Sequence, residues 1–415
     1  MLFPFSWRAL VLSGLLLFGL VSPTQADRGD ALRLEAAVSQ ISALAKSRPS
    51  IEALLDSARA EIPELGDDAL TVAGLSYRLS NSQDSKLSAA VIEAMLNSLD
   101  DRWARLYSPQ ESQNMRSGLN GDGLGSLGLN LVNDGLNSQG LLVTDVAPNG
   151  PALGLIEPGE RLRGVDGVDL TRPLKVTLDS VLHGLPDSVA HLRVADQRGR
   201  ERSVEVKRVD LDAPTAYVTK KDRVSTEIRI TSFGSETARE LKEILSTVDS
   251  ETVVLDLRCN GGGYVRSAVE CSSFFVKDGS LVVQTESPDG VSPLYSEGAA
   301  RFNGGLVLLV NSKTASAAEI FTACLQHHAE ARVIGETTYG KGSVQRIVEL
   351  PGDWALKVTI SAYRTAAGEL IDGVGIKPDL ELKMPIAACR TEADTQMAQA
   401  RLHVRHLAAN DGSKS

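Results

Sequence analysis

The chain has 415 residues, of which 42% are hydrophobic and 23% are charged. This composition is that of a globular protein with room for two or three domains, and it excludes a disordered chain and one that crosses a membrane several times. The formal net charge of −10 argues against a nucleic-acid partner, because proteins that bind nucleic acids carry a basic face.

The first 26 residues are typical of a secretory signal peptide. A single arginine, Arg8, precedes an apolar run over residues 9–21, and the small residue Ala26 stands before a polar segment. The run is shorter than the ~20 residues that a membrane-spanning helix needs, so a permanent anchor is the weaker alternative. We expect the mature protein to begin near Asp27 and to work outside the cytoplasm.

Residues 27–117 predict a helical region, because apolar residues recur at helical spacing in stretches that begin near Leu32, Ile51 and Leu87. Such a region could serve for packing or self-association. Residues 118–210 are richer in glycine and turn residues. They predict a compact module of short strands, at 129–132, 140–146, 189–194 and 203–209.

From residue 211 to 385, strands alternate with helical stretches. The predicted strands are 224–230, 252–257, 305–310 and 331–334, and the predicted helices are 236–245, 265–275 and 317–327. This alternation predicts an α/β core, a sheet with helical crossovers. The tail, residues 386–415, is charged, and its sequence indicates no role.

A serine stands where a buried strand gives way to a helix. Residues 306–310 are apolar, residues 311–314 form a polar turn and the helix begins at Ala317, so Ser316 directly precedes the helix. A hydroxyl there is exposed, and the free amides and dipole of the helix N-terminus can stabilise an oxyanion. A serine in this position can equally be an N-cap, and the local sequence does not decide between the two roles.

Lys341 lies between two glycines, Gly340 and Gly342, which allow the backbone to approach another segment closely. A lysine amine ordinarily has a pKa of ~10.4, so one that serves as a base near neutral pH needs surroundings that disfavour its charge. Gln345, two strand steps further on, would lie on the same face and could orient the amine. By itself, a lysine in a glycine turn would be interpreted as a surface residue.

A glycine loop follows the buried strand that ends near Asp256. Its glycines, Gly261 to Gly263, offer backbone amides that could act as oxyanion donors. A phosphate-binding loop is the competing interpretation, but the Gly-Lys-Ser/Thr ending of such loops is missing.

Histidine offers no competing nucleophilic site. His327 and His328 lie more than ~16 Å from Ser316 along the predicted helix, which is beyond hydrogen-bond reach. His403 and His406 have a spacing that could hold a metal on a helix, but a surface face is the simpler interpretation. We predict no metal and no cofactor.

The four cysteines, Cys259, Cys271, Cys324 and Cys389, lack the spacing of a metal site. In an oxidising compartment they allow three pairings, which the sequence cannot distinguish. Cys259 and Cys271 flank the glycine loop and could be bridged, whereas Cys324 is more simply a small core residue.

Motifs in a fixed order give the chain a resemblance to the carboxyl-terminal processing proteases, also called tail-specific proteases. No single motif is specific, but their order over residues 91–382 is. The motifs are Met95 to Asp100, Gly121 to Gly128, Glu157 to Glu160 with Val165 to Gly167, Asp256 to Gly263, Ala315 to Glu319, Gly335-Glu336 with Gly340 to Gly342, and Gly373 to Asp379.

The resemblance implies a role for each candidate residue. Ser316 would be the nucleophile, Lys341 the general base and Gln345 its orienting partner, with oxyanion amides from Ala317 and from Gly262 or Gly263. The glycine-rich module resembles a PDZ domain, which binds a C-terminal peptide as an added strand. Its carboxylate loop would comprise Leu124, Gly125, Ser126, Leu127 and Gly128.

Three features depart from the family pattern. Where relatives commonly carry an arginine before a glycine late in the PDZ module, this chain has His183 before Gly184. His327 stands where an acidic residue often follows in the nucleophile helix. Residues 30–87 match the family poorly.

The predicted architecture is a multidomain α/β (α+β) protein. Its parts are a signal peptide (1–26), an N-terminal helical region (27–117), an inserted PDZ-like β module (118–210), a mixed-sheet Ser-Lys protease core with crossover helices (211–385) and a tail (386–415). We expect a periplasmic serine endopeptidase that cleaves proteins near their C-termini through an acyl-enzyme. Expected partners are substrate C-termini, a second copy held by terminal helices and an activating adaptor protein.

Two other functions compete with this hypothesis. The first is a PDZ-bearing adaptor with an inactive or partner-activated protease core, against which the intact set of Ser316, Lys341 and Gln345 argues. The second is a hydrolase of the β-lactam-binding class, which expects Ser-x-x-Lys on one helix, whereas Glu319 stands three residues after Ser316.

Overall fold

The structure is a computed structural model that describes residues 25–66, 71–81, 86–113, 125–136, 139–172 and 178–411. The predicted signal peptide lies outside these residues except for Gln25 and Ala26, and Leu124 of the predicted carboxylate loop lies outside them as well. No helix in the described part of the chain is long and apolar enough to cross a membrane.

The N-terminal region is helical, as predicted. Its elements are α1 (Gln25–Leu44), α2 (Ile51–Glu61), a 3₁₀ turn (Pro63–Leu65), α3 (Val72–Ser80), α4 (Leu87–Asn97) and the short strand β1 (Arg105–Tyr107). The side chains of Ser50 and Thr71 cap α2 and α3 by accepting backbone amides. Leu34 and Ile41 on α1 are fully buried as the spacing indicates, but Leu32 is 56% exposed.

The glycine-rich module is an antiparallel sheet with one short helix in its described part. Its elements are β2 (Leu129–Val132), β3 (Leu141–Val146), β4 (Arg161–Val165), β5 (Val168–Asp169), α5 (Leu178–Leu182), β6 (Val189–Ala195) and β7 (Glu201–Lys207). The strand order is β2-β3-β4-β6-β7, and β5 pairs with β4. β2 therefore stands at the edge of the sheet.

The remaining residues build two further sheets. In chain order the elements are β8 (Ala216–Lys221), β9 (Ser225–Ile230), α6 (Thr237–Ser246), β10 (Thr252–Asp256), α7 (Val265–Ser272), β11 (Leu281–Ser287), β12 (Gly290–Tyr295), β13 (Gly305–Val310), α8 (Ala317–His328), β14 (Arg332–Gly335), β15 (Ser343–Leu350), β16 (Trp354–Thr365), β17 (Leu380–Glu381), a 3₁₀ turn (Ile386–Ala388) and α9 (Thr395–Asp411).

The central sheet has the order β17-β14-β13-β10-β9-β8, and its pairs are parallel except for β8 with β9. Its strands β10 and β13 are buried on both faces, which explains their continuous apolar runs. Parallel strands end at one edge, so the loops after β10, β13 and β14 meet there. These loops carry the predicted glycine loop, Ser316 and Lys341.

The tail contributes a core helix that the sequence analysis did not predict. α9 packs its Met397, Ala400 and Val404 against Val307 and Leu309 of the central sheet. The opposite face of that sheet is covered by α6, α7 and α8. The mixed composition of the tail concealed this role, because polar and charged residues interrupt its apolar positions.

A second sheet, of order β1-β16-β11-β12 with β15 paired to β16, was also missing from the predicted elements. Leu356 and Val358 of β16 share a core with α1 to α4. β12 is exposed along its length and β15 is only partly buried, so both lack the apolar runs from which strands were inferred. The sheet connects the N-terminal helices to the segment that follows Lys341.

Candidate active site

Ser316 lies in a strained turn between β13 and α8. Its backbone has φ 59° and ψ −122°, a conformation that residues with a Cβ rarely adopt, and its side chain is half-buried. Such a strand-to-helix turn raises a nucleophile above the sheet. Ala317 opens α8, where a backbone amide has no partner within the helix. The predicted junction of serine and helix N-terminus is therefore present.

The Glu319 carboxylate joins the Ser316 turn to the Lys341 loop. Its Oε2 accepts the backbone amides of Ser316 (2.7 Å) and Lys341 (2.8 Å), and its Oε1 accepts Gly340 N (2.6 Å) and Thr338 Oγ1 (2.5 Å). Glu319 has no exposed surface. A buried carboxylate is stable only when it is well paired or hydrogen-bonded, and here each oxygen receives two donors.

Both glycines beside Lys341 are required by close packing. Gly340 has φ +78°, and a Cβ there would lie 3.0 Å from Gly375 N. A Cβ on Gly342 would collide with the backbone of Asp372, whose Oδ1 accepts Gly342 N at 3.1 Å. The prediction that these glycines allow a close approach is confirmed, and the approach is to the turn at residues 371–375.

The Lys341 amine points to an aromatic ring. Its Nζ lies 5.3 Å from the ring centroid of Trp103, and no hydrogen bond joins it to Ser316 Oγ among the described residues. Gln345 donates its side-chain amide to Ser343 Oγ at 2.9 Å. Lys341 precedes β15, and a register shift falls between Val344 and Gln345, so the simple alternation assumed for a shared face does not hold.

The predicted glycine loop reaches the serine through Gly262. A Cβ on Gly262 would lie 2.8 Å from Ser316 Cβ and 2.9 Å from Ala317 N, so only glycine fits. However, the Gly262 amide already donates to Asn260 Oδ1 at 2.8 Å. Gly263 has φ +140° and packs against the Phe233 backbone. Of the predicted oxyanion amides, Ala317 is the one that the fold leaves beside the serine without a helix partner.

A buried network of ion pairs stabilises the base of the glycine loop. Arg258, which is fully buried, donates to Asp256 (2.7 and 2.9 Å) and to Asp394 (2.7 Å) of the tail. Arg229 makes a bidentate contact with Asp145 of β3, with both distances 2.8 Å. Burial alone would raise the pKa of Asp145 and of Asp256, but the guanidinium groups outweigh burial and hold both values below the ordinary range.

A cleft of about 510 Å³ runs between the glycine-rich module and the core. One wall is the edge strand β2 with Asn130, Leu131 and Val132. The other wall holds Gly261, Ala315, Lys341 and the aromatic residues Trp103 and Tyr339. An extended chain lying along β2 would therefore pass the Ser316 turn.

Comparisons with known proteins agree with this geometry. Residues 226–382 match the model of peptidase family S41. The chain carries a peptidase family S41 core. It is 28% identical over 310 residues to carboxy-terminal processing protease CtpA of Bacillus subtilis, a match that spans 73% of this chain and 66% of that protein. It is 31% identical over 306 residues to carboxyl-terminal-processing peptidase 2, chloroplastic, of Arabidopsis thaliana. That match spans 69% of this chain and 59% of that protein.

Among solved structures, the photosystem II D1 C-terminal processing protease shares the fold of this chain. The TM-score is 0.59 at 22% identity, and the match covers 88% of this chain and 98% of that one. The predicted α/β fold class and the predicted family are thus confirmed. The chain spans slightly less than two thirds of the length of the curated relatives described above.

The predicted carboxylate loop of the glycine-rich module is largely occupied by its own contacts. Gly125 N donates to Gly184 O (2.7 Å), Ser126 N to Val209 O (2.8 Å) and Gly128 N to Ser126 Oγ (3.1 Å). Ser126 and Gly128 line a groove of about 360 Å³ together with Leu178 and Leu182 of α5 and His183. Leu127 is buried in the core of the module.

The four cysteines of the chain are free thiols. Cys271, Cys324 and Cys389 are buried, and burial raises the pKa of each to about 12. Burial also raises the pKa of Cys259. The Cys259–Cys271 bridge considered from the sequence is absent. No group of three metal-ligating side chains occurs within the described ranges.

Sequence reasoning missed the residues that position the site of this S41 core. Glu319 entered only as part of a motif, although Ser-x-x-Glu before an apolar helix is the signature of a capping box and could have assigned it a backbone-binding role. Trp103, Asp145 and Arg229 carried no recognisable local signal. Their roles depend on contacts between segments that are distant in sequence.

Proposed function

We propose that this protein is a serine endopeptidase that cleaves protein substrates near their C-termini. The observation that carries the proposal is the strained Ser316 turn, joined through Glu319 to the Lys341 loop. Ser316 attacks the scissile carbonyl and Lys341 accepts its proton. The acyl-enzyme forms as Lys341 returns the proton to the leaving amine, and water then hydrolyses the ester. Ala317 N–H stabilises the oxyanion.

Gln345 acts in this proposal as the orienting partner of the lysine, once the amine has turned towards Ser316. In the described arrangement its amide is bound to Ser343 Oγ. Gly262 has no Cβ and therefore leaves room for the Ser316 side chain. With its amide held by Asn260, Gly262 would donate to an oxyanion only if that hydrogen bond were exchanged.

The glycine-rich module acts as a PDZ-like tether for substrate tails. This is supported by the position of β2 at the edge of the sheet within the described residues, by the groove between β2 and α5, and by the position of β2 along the cleft. A tail bound as an added strand would place the preceding residues near Ser316, so binding energy remote from the cut would position the scissile bond. The protein works in the periplasm after removal of a signal peptide. An adaptor and self-association through terminal helices would regulate it.

The test is cleavage of an unfolded secreted protein, supplied with either a free or an amidated C-terminus. The proposal expects faster cleavage of the free form by the wild type and none by Ser316→Ala. Equal rates of cleavage of the free and amidated forms would show that the module does not recognise substrate tails. The alternative, a peptide-binding adaptor without activity, expects the free tail to bind and remain uncut under every activating condition.

A further inference from the structure

The Lys341 amine shares an aromatic ring with a second cation. Trp103 follows α4, and its ring lies 5.3 Å from Lys341 Nζ and 4.9 Å from the guanidinium carbon of Arg102. The Trp103 ring also contacts Tyr339, with 6.2 Å between ring centroids. Distances below about 6 Å between a cation and a ring centroid are attractive.

The backbone around this ring is fixed. Arg102 donates to Gly340 O at 2.5 Å and lies 3.4 Å from Asp372, while Asp101 accepts Trp103 N at 3.0 Å. Lys341 N is held by Glu319. Trp103 is thus tied to the same loop as Lys341, so the amine can leave the ring by rotation of the lysine side chain alone.

This placement opposes the role that the proposed function gives to the lysine. Attraction to a ring acts on the charged form of an amine. A general base must be uncharged and within about 3.2 Å of the hydroxyl. The ring contact therefore keeps the lysine amine turned away from the serine.

We infer that Trp103 is a positioning residue that holds the Lys341 amine in a resting arrangement. The inference rests on the proposed function. Trp103 lines the cleft beside Ala315 and opposite β2, so a substrate chain in the cleft would contact the ring and compete with the amine for it. Occupancy of the cleft would then release Lys341 to Ser316, which couples activity to the presence of substrate.

The tests use Trp103→Leu, which removes the π face, and Trp103→Phe, which keeps a weaker one. The indole Nε1 is buried without a hydrogen-bond partner in the described structure, so neither change removes a hydrogen bond. The chain offers a matched control in Tyr107, whose ring lies 5.5 Å from Lys357 Nζ and 5.1 Å from the Arg105 guanidinium carbon. Tyr107→Leu removes an equivalent ring outside the residues that line the cleft.

The first measurement does not depend on activity. In protein labelled with ¹³C-lysine, with the Lys341 signals assigned by Lys341→Arg, ring currents should shift the Lys341 ε-protons upfield. The shift should be lost in Trp103→Leu, kept in part in Trp103→Phe and unchanged in Tyr107→Leu. Wild-type ε-protons at an ordinary position would overturn the inference.

The second measurement is kcat/KM on an unfolded substrate. Loss of the resting contact should raise it roughly 2- to 30-fold in Trp103→Leu, with a smaller rise in Trp103→Phe and none in Tyr107→Leu. A lower kcat/KM in a folded Trp103→Leu protein would overturn the inference, since a merely structural or substrate-binding ring gives that result. If no variant cleaves, the proposed function fails, and the chemical shift alone decides whether the resting contact exists.

Discussion

Glu319 Oε2 accepts the backbone amides of both Ser316 and Lys341, at 2.7 and 2.8 Å. One buried oxygen therefore fixes the distance between the turn that carries Ser316 and the loop that carries Lys341. These hydrogen bonds hold the backbone of both segments even while the lysine amine lies beside the Trp103 ring.

Glu319→Gln should disrupt this junction. An amide replaces one acceptor oxygen with a donor, so two of the four donors lose their partner, at about 1–3 kcal/mol each. We expect the free energy of unfolding in urea to fall by about 2–6 kcal/mol and kcat/KM to fall at least ~100-fold. Glu330→Gln, an exposed change just past the end of α8, should alter stability by less than about 0.5 kcal/mol. Equal stability and equal kcat/KM in Glu319→Gln and Glu330→Gln would show that Glu319 does not organise this junction.

Gly262→Ala should abolish the proposed cleavage of an unfolded protein substrate. The added Cβ would meet Ala315 O at 2.7 Å and Ser316 Cβ at 2.8 Å, and φ +102° disfavours alanine. Gly234 is a matched control, because a Cβ there makes only ordinary contacts of 3.7 Å with Thr215 and Thr237 and the residue does not line the cleft. We expect Gly234→Ala to retain kcat/KM within about threefold and Gly262→Ala to lose at least ~100-fold. Wild-type cleavage by Gly262→Ala would show that this glycine does not pack against the serine during catalysis.

The central strands and the site motifs could be predicted from the sequence because each depends on residues that are close together in the chain. The strand at Gly305–Val310 was predicted to the residue, since a strand buried on both faces is an uninterrupted apolar run. The exposed strand Gly290–Tyr295 and the tail helix Thr395–Asp411 lack such runs and were missed. The contact of Lys341 with Trp103 joins segments far apart in sequence, so no spacing rule could reveal it.

The ion pair between Asp145 and Arg229 should make the junction of module and core sensitive to acid. Both side chains are buried, and the pKa of Asp145 is lowered in the folded state. A lowered pKa stabilises the fold above the unfolded value of ~3.9, and this stability is lost as pH falls through the folded pKa. Urea unfolding should therefore show a free energy that declines below about pH 5.

Variants of this pair test the cause of that decline. Asp145→Asn removes the closest carboxylate partner of the buried Arg229 guanidinium and should cost about 3–5 kcal/mol at pH 7, with a smaller difference from wild type at pH 3. Asp249→Asn removes an exposed partner of Lys221 and should leave the urea midpoint at the wild-type value within error. A pH-independent cost of Asp145→Asn would contradict the pairing.

The cysteine thiols should be unreactive in the folded protein. Burial raises the pKa of Cys271, Cys324 and Cys389 to about 12, and the thiolate is the reactive form. A thiol-specific chromogenic reagent at pH 7.5 should react slowly with the native protein and should count four thiols after unfolding without reductant. A count of two would indicate a disulfide, such as the Cys259–Cys271 bridge.

The most direct test of the central claim is the rate of cleavage of one unfolded protein substrate by wild type, Ser316→Ala and Lys341→Ala, with products identified by mass spectrometry. We expect the wild type to cut near the substrate C-terminus and each variant to lose activity to background while remaining folded. Cleavage that persists in Ser316→Ala, or a wild type no faster than the two variants under every activating condition, would contradict it.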